Sequence, residues 1–277
     1  MINKNVYVHS KMLHRINVFN RNCGFFSDFL TCLAGIMYCY DNGVESYVDW
    51  RSDLYSPSNN NGECEYNLFD KYFYQENNNL DNNTHFDSVH NMITPYGFYF
   101  PYAHGHVNPK AIYSSLYHPS FLMKDLKILE SDFFSTLDKN FFGDKKILGV
   151  HKRGTDHGNH GPIKSNEFFL DEINTMYKNE QFDKIFLITD DTNSLEFFKR
   201  ELGDDLIITD SNTSDRPLHY GQNFGFENIS QQVLRDSYYL SQCDYKLITR
   251  SNVSTFTLLC NLNENDFKFL DNDIKYR

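Results

Sequence analysis

Residues 145–161 read KKILGVHKRGTDHGNHG, an apolar strand that empties into His151, Lys152, Arg153, Gly154, Thr155, Asp156 and His157. A guanidinium just past a buried strand, followed by a glycine that lets the backbone approach a ligand, suits an anion. Arginine presents a rigid fork of N–H donors to phosphate or carboxylate oxygens. A second reading is structural, with Arg153 and Asp156 pairing to brace their own loop. Three more apolar stretches end alike: KIFLITDD in Thr189, Asp190 and Asp191, DLIITDS in Thr209 and Asp210, and YKLITRSN in Thr249 to Asn252. Residues 251–255, SNVST, open a helix whose first N–H groups and hydroxyls favour a phosphate. Ser251 taken alone reads equally as a plain N-cap. Asp190 and Asp191 fit a ribose or base edge, or a cap for the next helix.

The motifs of several other chemistries are missing. There is no GxxxxGK[ST] phosphate loop, no GxGxxG dinucleotide fingerprint and no GxSxG nucleophile elbow. His104, His106, His151, His157 and His160 lack a carboxylate or cysteine companion at ligand spacing, so no metal site is expected. The six cysteines are scattered without CxxC pairs, the pattern of reduced, buried thiols in a cytoplasm. A net charge of −11 argues against nucleic acid as a partner. No apolar run is long enough for a membrane span, and the first fifteen residues are too polar for a signal peptide. The cytoplasm is therefore the expected compartment.

The elements that must position these residues follow from periodicity. Residues 5–11, NVYVHSK, read as a first strand or an ordered arm. GFFSDFLTCLAGIMYCYDNG, 24–43, is a helix introduced by a glycine turn and closed by Asn42-Gly43, and residues 47–50 are a short strand. Asparagine-rich stretches at 56–63 and 75–85 read as surface loops, with a short helix between them. Residues 94–120, rich in proline and aromatics, read as an irregular lining. Residues 120–143 read as one amphipathic helix with Phe121, Leu122, Leu126, Leu129, Phe133 and Leu137 on a single side. From 147 onward strands and helices alternate in four βα units, which predicts a doubly wound parallel sheet with all four strand ends converging on one edge. Ligands of such sheets bind at that edge. The boundary is expected at residue 140, between an N-terminal α/β domain, 1–140, and a C-terminal Rossmann-like domain, 141–277.

GVHKRGTDH resembles the His-x-Arg-(Arg/Gly)-Thr-Asp signature of the inverting fucosyltransferases, those forming α1,6 and α1,2 linkages and the protein O-fucosyltransferases. KIFLITDD is similar to that family's second strand. LRDSYYLSQCDYKLITRSNVSTFTLL is similar to its third block, and GFFSDFLTCLAGIMYCYDNGVESYVDW to its glycine turn and first helix. The resemblance implies a GT-B-like α/β fold of two Rossmann-like domains, a GDP-fucose donor held by the C-terminal one, a glycan acceptor, and neither cofactor nor metal. It places Arg153 on the β-phosphate as the catalytic cation. His151, Gly154 and Asp156 would shape the phosphate and nucleotide loop. Asp190, Asp191, Asp236, Ser251, Asn252 and Ser254 would lie against nucleoside, ribose or phosphate. Mid-helix Asp236 reads otherwise as a solvated polar position.

Two departures matter. Gly154 stands where many relatives carry a second arginine, leaving Lys152, Arg216 or Arg250 to supply that contact. HGNHG replaces the stretch where α1,6 enzymes carry a glutamate, so the base falls to His157, His160 or a carboxylate of the first half, with Asp28 chosen. Asp28 reads otherwise as an exposed acid of a helix first turn. The same fold with a xylosyl, rhamnosyl or galactosyl donor, and a non-catalytic nucleotide-sugar or glycan-binding module, are the alternatives.

Overall fold

Hydrogen-bonded parallel strands form two separate sheets in the computed structural model, which describes residues 13–19, 24–57, 64–76, 87–89, 109–154, 164–215 and 225–271. The first sheet has the order β2-β1-β3, with β1 Leu13–Phe19, β2 Glu45–Arg51 and β3 Asp87–Val89. The second has the order β6-β5-β4-β7-β8, with β4 Ile147–Lys152, β5 Lys184–Thr189, β6 Leu206–Ile207, β7 Tyr245–Ile248 and β8 Phe267–Phe269. Every pairing in both sheets is parallel. The chain is thus α/β, and its second sheet runs outward from β4 first in one direction and then in the other.

Side-chain alternation explains how that second sheet is covered on both faces. Leu148 and Val150 of β4 point into a core with Ile185 and Leu187 of β5, Phe169 and Ile173 of helix α5 (Asn166–Glu180) and Phe198 of helix α6 (Thr192–Leu202). Ile147 points the other way, with Phe186, Ile188 and Ile248, towards helix α7 (Phe226–Ser241) and helix α8 (Asn252–Cys260). Gly149 lets α7 approach β4: a Cβ there would lie 2.6 Å from Leu240 Cδ1 and 2.9 Å from Cys243 Sγ.

The face towards α8 does not end at the second sheet. Helix α1 (Phe25–Asp41) covers the first sheet and meets α8 through Phe26 and Phe256, stacked at 4.3 Å. Phe29, Phe69 and Phe73 extend the same apolar cluster to helix α2 (Leu68–Tyr72). Buried hydrogen bonds run alongside it, Tyr72 Oη to Ser230 Oγ at 2.8 Å and Ser120 Oγ to the Leu259 carbonyl at 2.9 Å. One core therefore joins the two sheets.

The sequence expectations fail where local signals were misleading. The strand expected at 5–11 lies outside the described residues, as do 58–63 and 77–86. The first described strand is β1, whose polar His14, Arg15 and Asn17 hid Ile16 and Val18, the pair buried against α1. Asp87–Val89, between the asparagine-rich stretch and the aromatic one, forms β3, and Phe267–Phe269 forms β8; three residues are too few for periodicity to reveal. Residues 109–120, read as irregular lining, belong to helix α3 (Pro109–Asp125). A proline in the first turn costs no hydrogen bond, whereas Pro119 costs the helix one in its interior.

The single amphipathic helix expected at 120–143 is also corrected. It is the end of α3, a turn, and the short helix α4 (Asp132–Ser135). The break is a Schellman motif: Ile128 N–H donates to the Met123 carbonyl at 3.0 Å and Lys127 N–H to the Lys124 carbonyl at 3.1 Å. Ile128 and Met123 are both buried in the main core, the hydrophobic contact this motif carries. Lys127 takes the left-handed conformation, φ 55°, at the position glycine usually fills. A non-glycine residue there is strained by about 1 kcal/mol. Lys127→Gly should therefore stabilise the protein by roughly 0.5–1 kcal/mol, read as a higher urea midpoint at unchanged m-value. A lower midpoint would show that the lysine side chain contributes more than its backbone costs.

Candidate functional site

All strands of the second sheet point their carboxyl ends to one edge, and the order reverses at β4, with β5 on one side and β7 on the other. The crevice between β4 and β7 is where an open α/β sheet receives a ligand, because the connecting loops diverge there. Arg153 and Gly154 leave β4 at this point, and Thr249, Arg250 and Ser251 leave β7 opposite them.

The β7 side is organised by the start of α8. Ser251 is its N-cap, with Oγ accepting from Ser254 N–H at 3.1 Å. Thr249 N–H donates to the His151 carbonyl at 3.1 Å, and the Arg153 amide donates to Thr249 Oγ1 at 3.4 Å, so the loop after β4 is strapped to β7. His151 Nδ1 lies 2.7 Å from Ser254 Oγ, and His151, Thr249, Ser251 and Ser254 are all buried. Both carboxylate oxygens of buried Asp271, just past β8, accept from the Arg250 amide at 3.1 and 3.2 Å. Asn252 opens α8 and is half-buried.

The β5 side is occupied with holding the loop in place. Gly154 N–H donates to Asp190 Oδ1 at 2.7 Å. Asp191 caps α6, accepting from Asn193 N–H at 3.2 Å and Ser194 N–H at 3.1 Å. A Cβ on residue 154 would fall 2.5 Å from Asp191 Cβ. The glycine is thus required by a neighbouring side chain of the protein itself, a reason the sequence did not disclose. Lys152, named above as a source of the second cation, is 3% exposed and donates to Ser194 Oγ at 2.8 Å, on the sheet face away from α8. Burial pulls its ammonium below the ordinary 10.5, with Asp191, Asp190 and Glu167 opposing.

Asp236 is 7% exposed, so the solvated-position reading is wrong. It accepts from Thr209 Oγ1 at 2.9 Å, from Ser211 Oγ and from Arg235 Nε at 3.1 Å, tying α7 to the chain after β6. Burial pushes its carboxyl up despite these donors. Asp28 is 1% exposed in the first turn of α1, which overturns its reading as an exposed helix acid. The first sheet carries an ion cluster that sequence reading missed: Arg15 pairs with Asp49, and Arg51 Nε lies 2.6 Å from the same carboxylate. The in-register strands place residues 15, 49 and 51 on one face, a juxtaposition no linear spacing signals.

The structure thus brings His151, Arg153, Gly154, Ser251, Asn252 and Ser254 to the β4–β7 crevice and sets Asp190 and Asp191 behind the loop. Asp156, His157, His160, Arg216, His104 and His106 lie outside the described residues. Thr249, named above only as a strand end, is the residue that ties the two loops together. Among the described residues no group of three His, Cys, Asp or Glu side chains is disposed to hold a metal ion, and no helix is long and apolar enough to cross a membrane. Cys32, Cys39 and Cys243 are buried and form no disulfide, and burial pushes Cys39 up to about 11.

No protein-family model matches the chain, and no curated protein matches it. Among solved structures it is similar to NodZ α1,6-fucosyltransferase soaked with GDP-fucose, at TM-score 0.49 and 14% identity over 91% of this chain and 93% of that one. Fucosyltransferase NodZ from Bradyrhizobium gives TM-score 0.46 and 15% identity over 90% and 92%. POFUT1 in complex with GDP gives TM-score 0.47 and 8% identity over 92% and 98%. At TM-scores below 0.5 these likenesses carry no argument, and the site stands on its own geometry.

That geometry makes Lys152 a titrating element. The folded protein releases its proton at lower pH than the unfolded chain does, so between the two pKa values the unfolded chain binds more protons. Stability then rises with pH across a window whose upper end is 10.5. In Lys152→Met this increment is missing, so the wild type should gain urea midpoint relative to the variant as the pH rises towards 10.5. A difference independent of pH would show that Lys152 titrates as an exposed lysine.

Proposed function

We propose that the chain is a metal-independent inverting glycosyltransferase that moves fucose from GDP-fucose to a glycan. The observation that carries this reading is Arg153, which leaves β4 at the reversal of strand order with its amide tied to Thr249 across the crevice. A guanidinium there, opposite the N-terminal amides of α8, meets the charge that grows on a departing nucleoside diphosphate. The choice of fucose and guanine, and independence of metal, come from the resemblance of GVHKRGTDH and the block around residues 234–259 to the fucosyltransferase signatures.

In this reading the acceptor oxygen bonds to the sugar carbon as the bond from that carbon to the diphosphate oxygen breaks. The acceptor proton passes to a base on the opposite face of the sugar. Asp28 and His157 are the candidate bases. Arg153 and the start of α8 hold the diphosphate, with Gly154 and Asp156 in the phosphate loop and Asp236 on the nucleoside side. Asp190 and Asp191 act behind the loop, through Gly154 N–H and the α6 cap.

One observation favours a nucleotide-sugar-binding module instead: Lys152 is committed to Ser194, so β4 offers the diphosphate a single cation from its own end. Thermal-shift titration with GDP, GDP-fucose, UDP and UDP-sugars, with and without magnesium, separates the readings, since a ligand that binds only the folded state raises the melting temperature. A shift with guanine nucleotides alone, unchanged by magnesium, is expected; no shift with any of them would refute the fucosyl donor. Arg153→Ala should lower transfer by about 10²–10³-fold and weaken GDP binding, with Arg153→Lys intermediate. Near-normal turnover in Arg153→Ala would remove its assigned role.

A further inference from the structure

We infer that Asp236 is a positioning residue, which acts on the loop after β4 through residues 209–214, and that its carboxylate does not read the base of a bound nucleotide. The first part stands on contacts within the chain; the second rests on the function proposed above.

The carboxylate is engaged from three sides. Oδ1 accepts from Thr209 Oγ1 at 2.9 Å and from Arg235 Nε at 3.1 Å, and Oδ2 accepts from Ser211 Oγ. A carboxylate offers about two acceptor sites on each oxygen, so Oδ1 is full. The edge of guanine that pairs with a carboxylate presents two neighbouring donors, N1–H and the 2-amino group, one for each oxygen. Seating them on buried Asp236 would strip Thr209 or Arg235 of its acceptor. An unmade hydrogen bond in such a place costs more than a new one returns.

The neighbouring side chains of α7 are committed to the same stretch of chain. Arg235 Nη1 lies 2.7 Å from Asp210 Oδ1, and Nη2 donates to Ser211 Oγ at 2.8 Å. Gln232, one turn before Asp236, accepts on Oε1 from both the backbone and the side-chain amide of Asn212, each at 3.0 Å. Strand β6 is only two residues long, so the sheet gives little hold on the chain beyond it. Gln232, Arg235 and Asp236 supply the support that a longer strand would have given.

The other end of the segment reaches the site. Ser214 pairs with Asp191 in an isolated parallel bridge, in which Ser214 N–H donates to the Asp190 carbonyl at 3.0 Å and Thr192 N–H to the Ser214 carbonyl at 3.3 Å. Thr192 Oγ1 donates to Thr213 Oγ1 at 3.1 Å. Asp190 in turn accepts the Gly154 amide on Oδ1 at 2.7 Å. A continuous run of contacts therefore leads from Asp236, through 209–214, to the amide next to Arg153.

Coupling along such a run is read at its far end. Arg153-Gly154 is the only Arg-Gly pair in the chain, so the full chain labelled with 13C-carbonyl arginine and 15N-glycine gives a single carbonyl-to-amide correlation, that of Gly154. Asp236→Asn keeps the shape and weakens the grip on Thr209, Ser211 and Arg235; Ser211→Ala removes one donor and leaves Asp236 in place. Each should move the Gly154 signal and speed exchange of its amide hydrogen. A Gly154 signal unmoved in a folded variant would overturn the positioning role. Affinities for GDP and for inosine diphosphate, which lacks the 2-amino group, test the base. Both variants should weaken the two nucleotides by one common factor, about 2–30-fold, with their affinity ratio as in the wild type. Undiminished affinity for both would also overturn the positioning role. A preference for GDP that disappears in Asp236→Asn, or grows in Ser211→Ala, would show Asp236 reading guanine. If Asp236→Asn does not fold, Ser211→Ala carries both measurements. Failure of every nucleotide to bind the wild type refutes the proposed function and with it the statement about the base, while the Gly154 signal still judges the positioning role.

Discussion

Helix α8 is nine residues long and buried from Ser254 to Leu259, and the candidate site exists because such a helix must satisfy its hydroxyls internally. Ser254 donates to the Thr249 carbonyl at 2.6 Å, Thr255 to the Ser251 carbonyl at 3.1 Å and Thr257 to the Ser237 carbonyl at 3.3 Å. A buried hydroxyl without such an acceptor costs a few kcal/mol, roughly 1–3. The polar residues that look like ligand contacts in SNVST are thus first obligations of burial, and they fix the start of α8 against β7 before any ligand arrives.

From that fixed helix the rest of the crevice follows. Thr249 takes the amide after β4 on one side, Asp190 takes the Gly154 amide on the other, and Arg153 lies between two backbone anchors. The start of the loop is held by its peptide groups. A preorganised cation costs no reorganisation when charge develops, which is the physical basis of electrostatic catalysis at such edges.

The second half of the chain was legible because apolar runs and helical periods alternate there without interruption, and because parallel strands send their ends to one edge by construction. His151, Arg153, Gly154, Ser251 and Ser254 could be placed at that edge from the pattern alone. What could not be read was which polar groups are already committed. Lys152 faces away because alternation puts successive residues on opposite sheet faces, and Asp191 is needed by the α6 cap. Asp28 and Asp236 are buried by tertiary packing, which no local signal encodes. In the first half the end of α3 was invisible because its left-handed position is filled by Lys127 where glycine would have announced it.

The stack of Phe26 on Phe256 sits between the two sheets, with Tyr72 bonded to Ser230 beside it. Each sheet therefore uses the other as part of its solvent barrier. The two halves of such a protein cannot diverge as exchangeable cassettes: a graft of one amino-terminal half for another would have to carry matching aromatic surfaces, or leave a greasy face open to water.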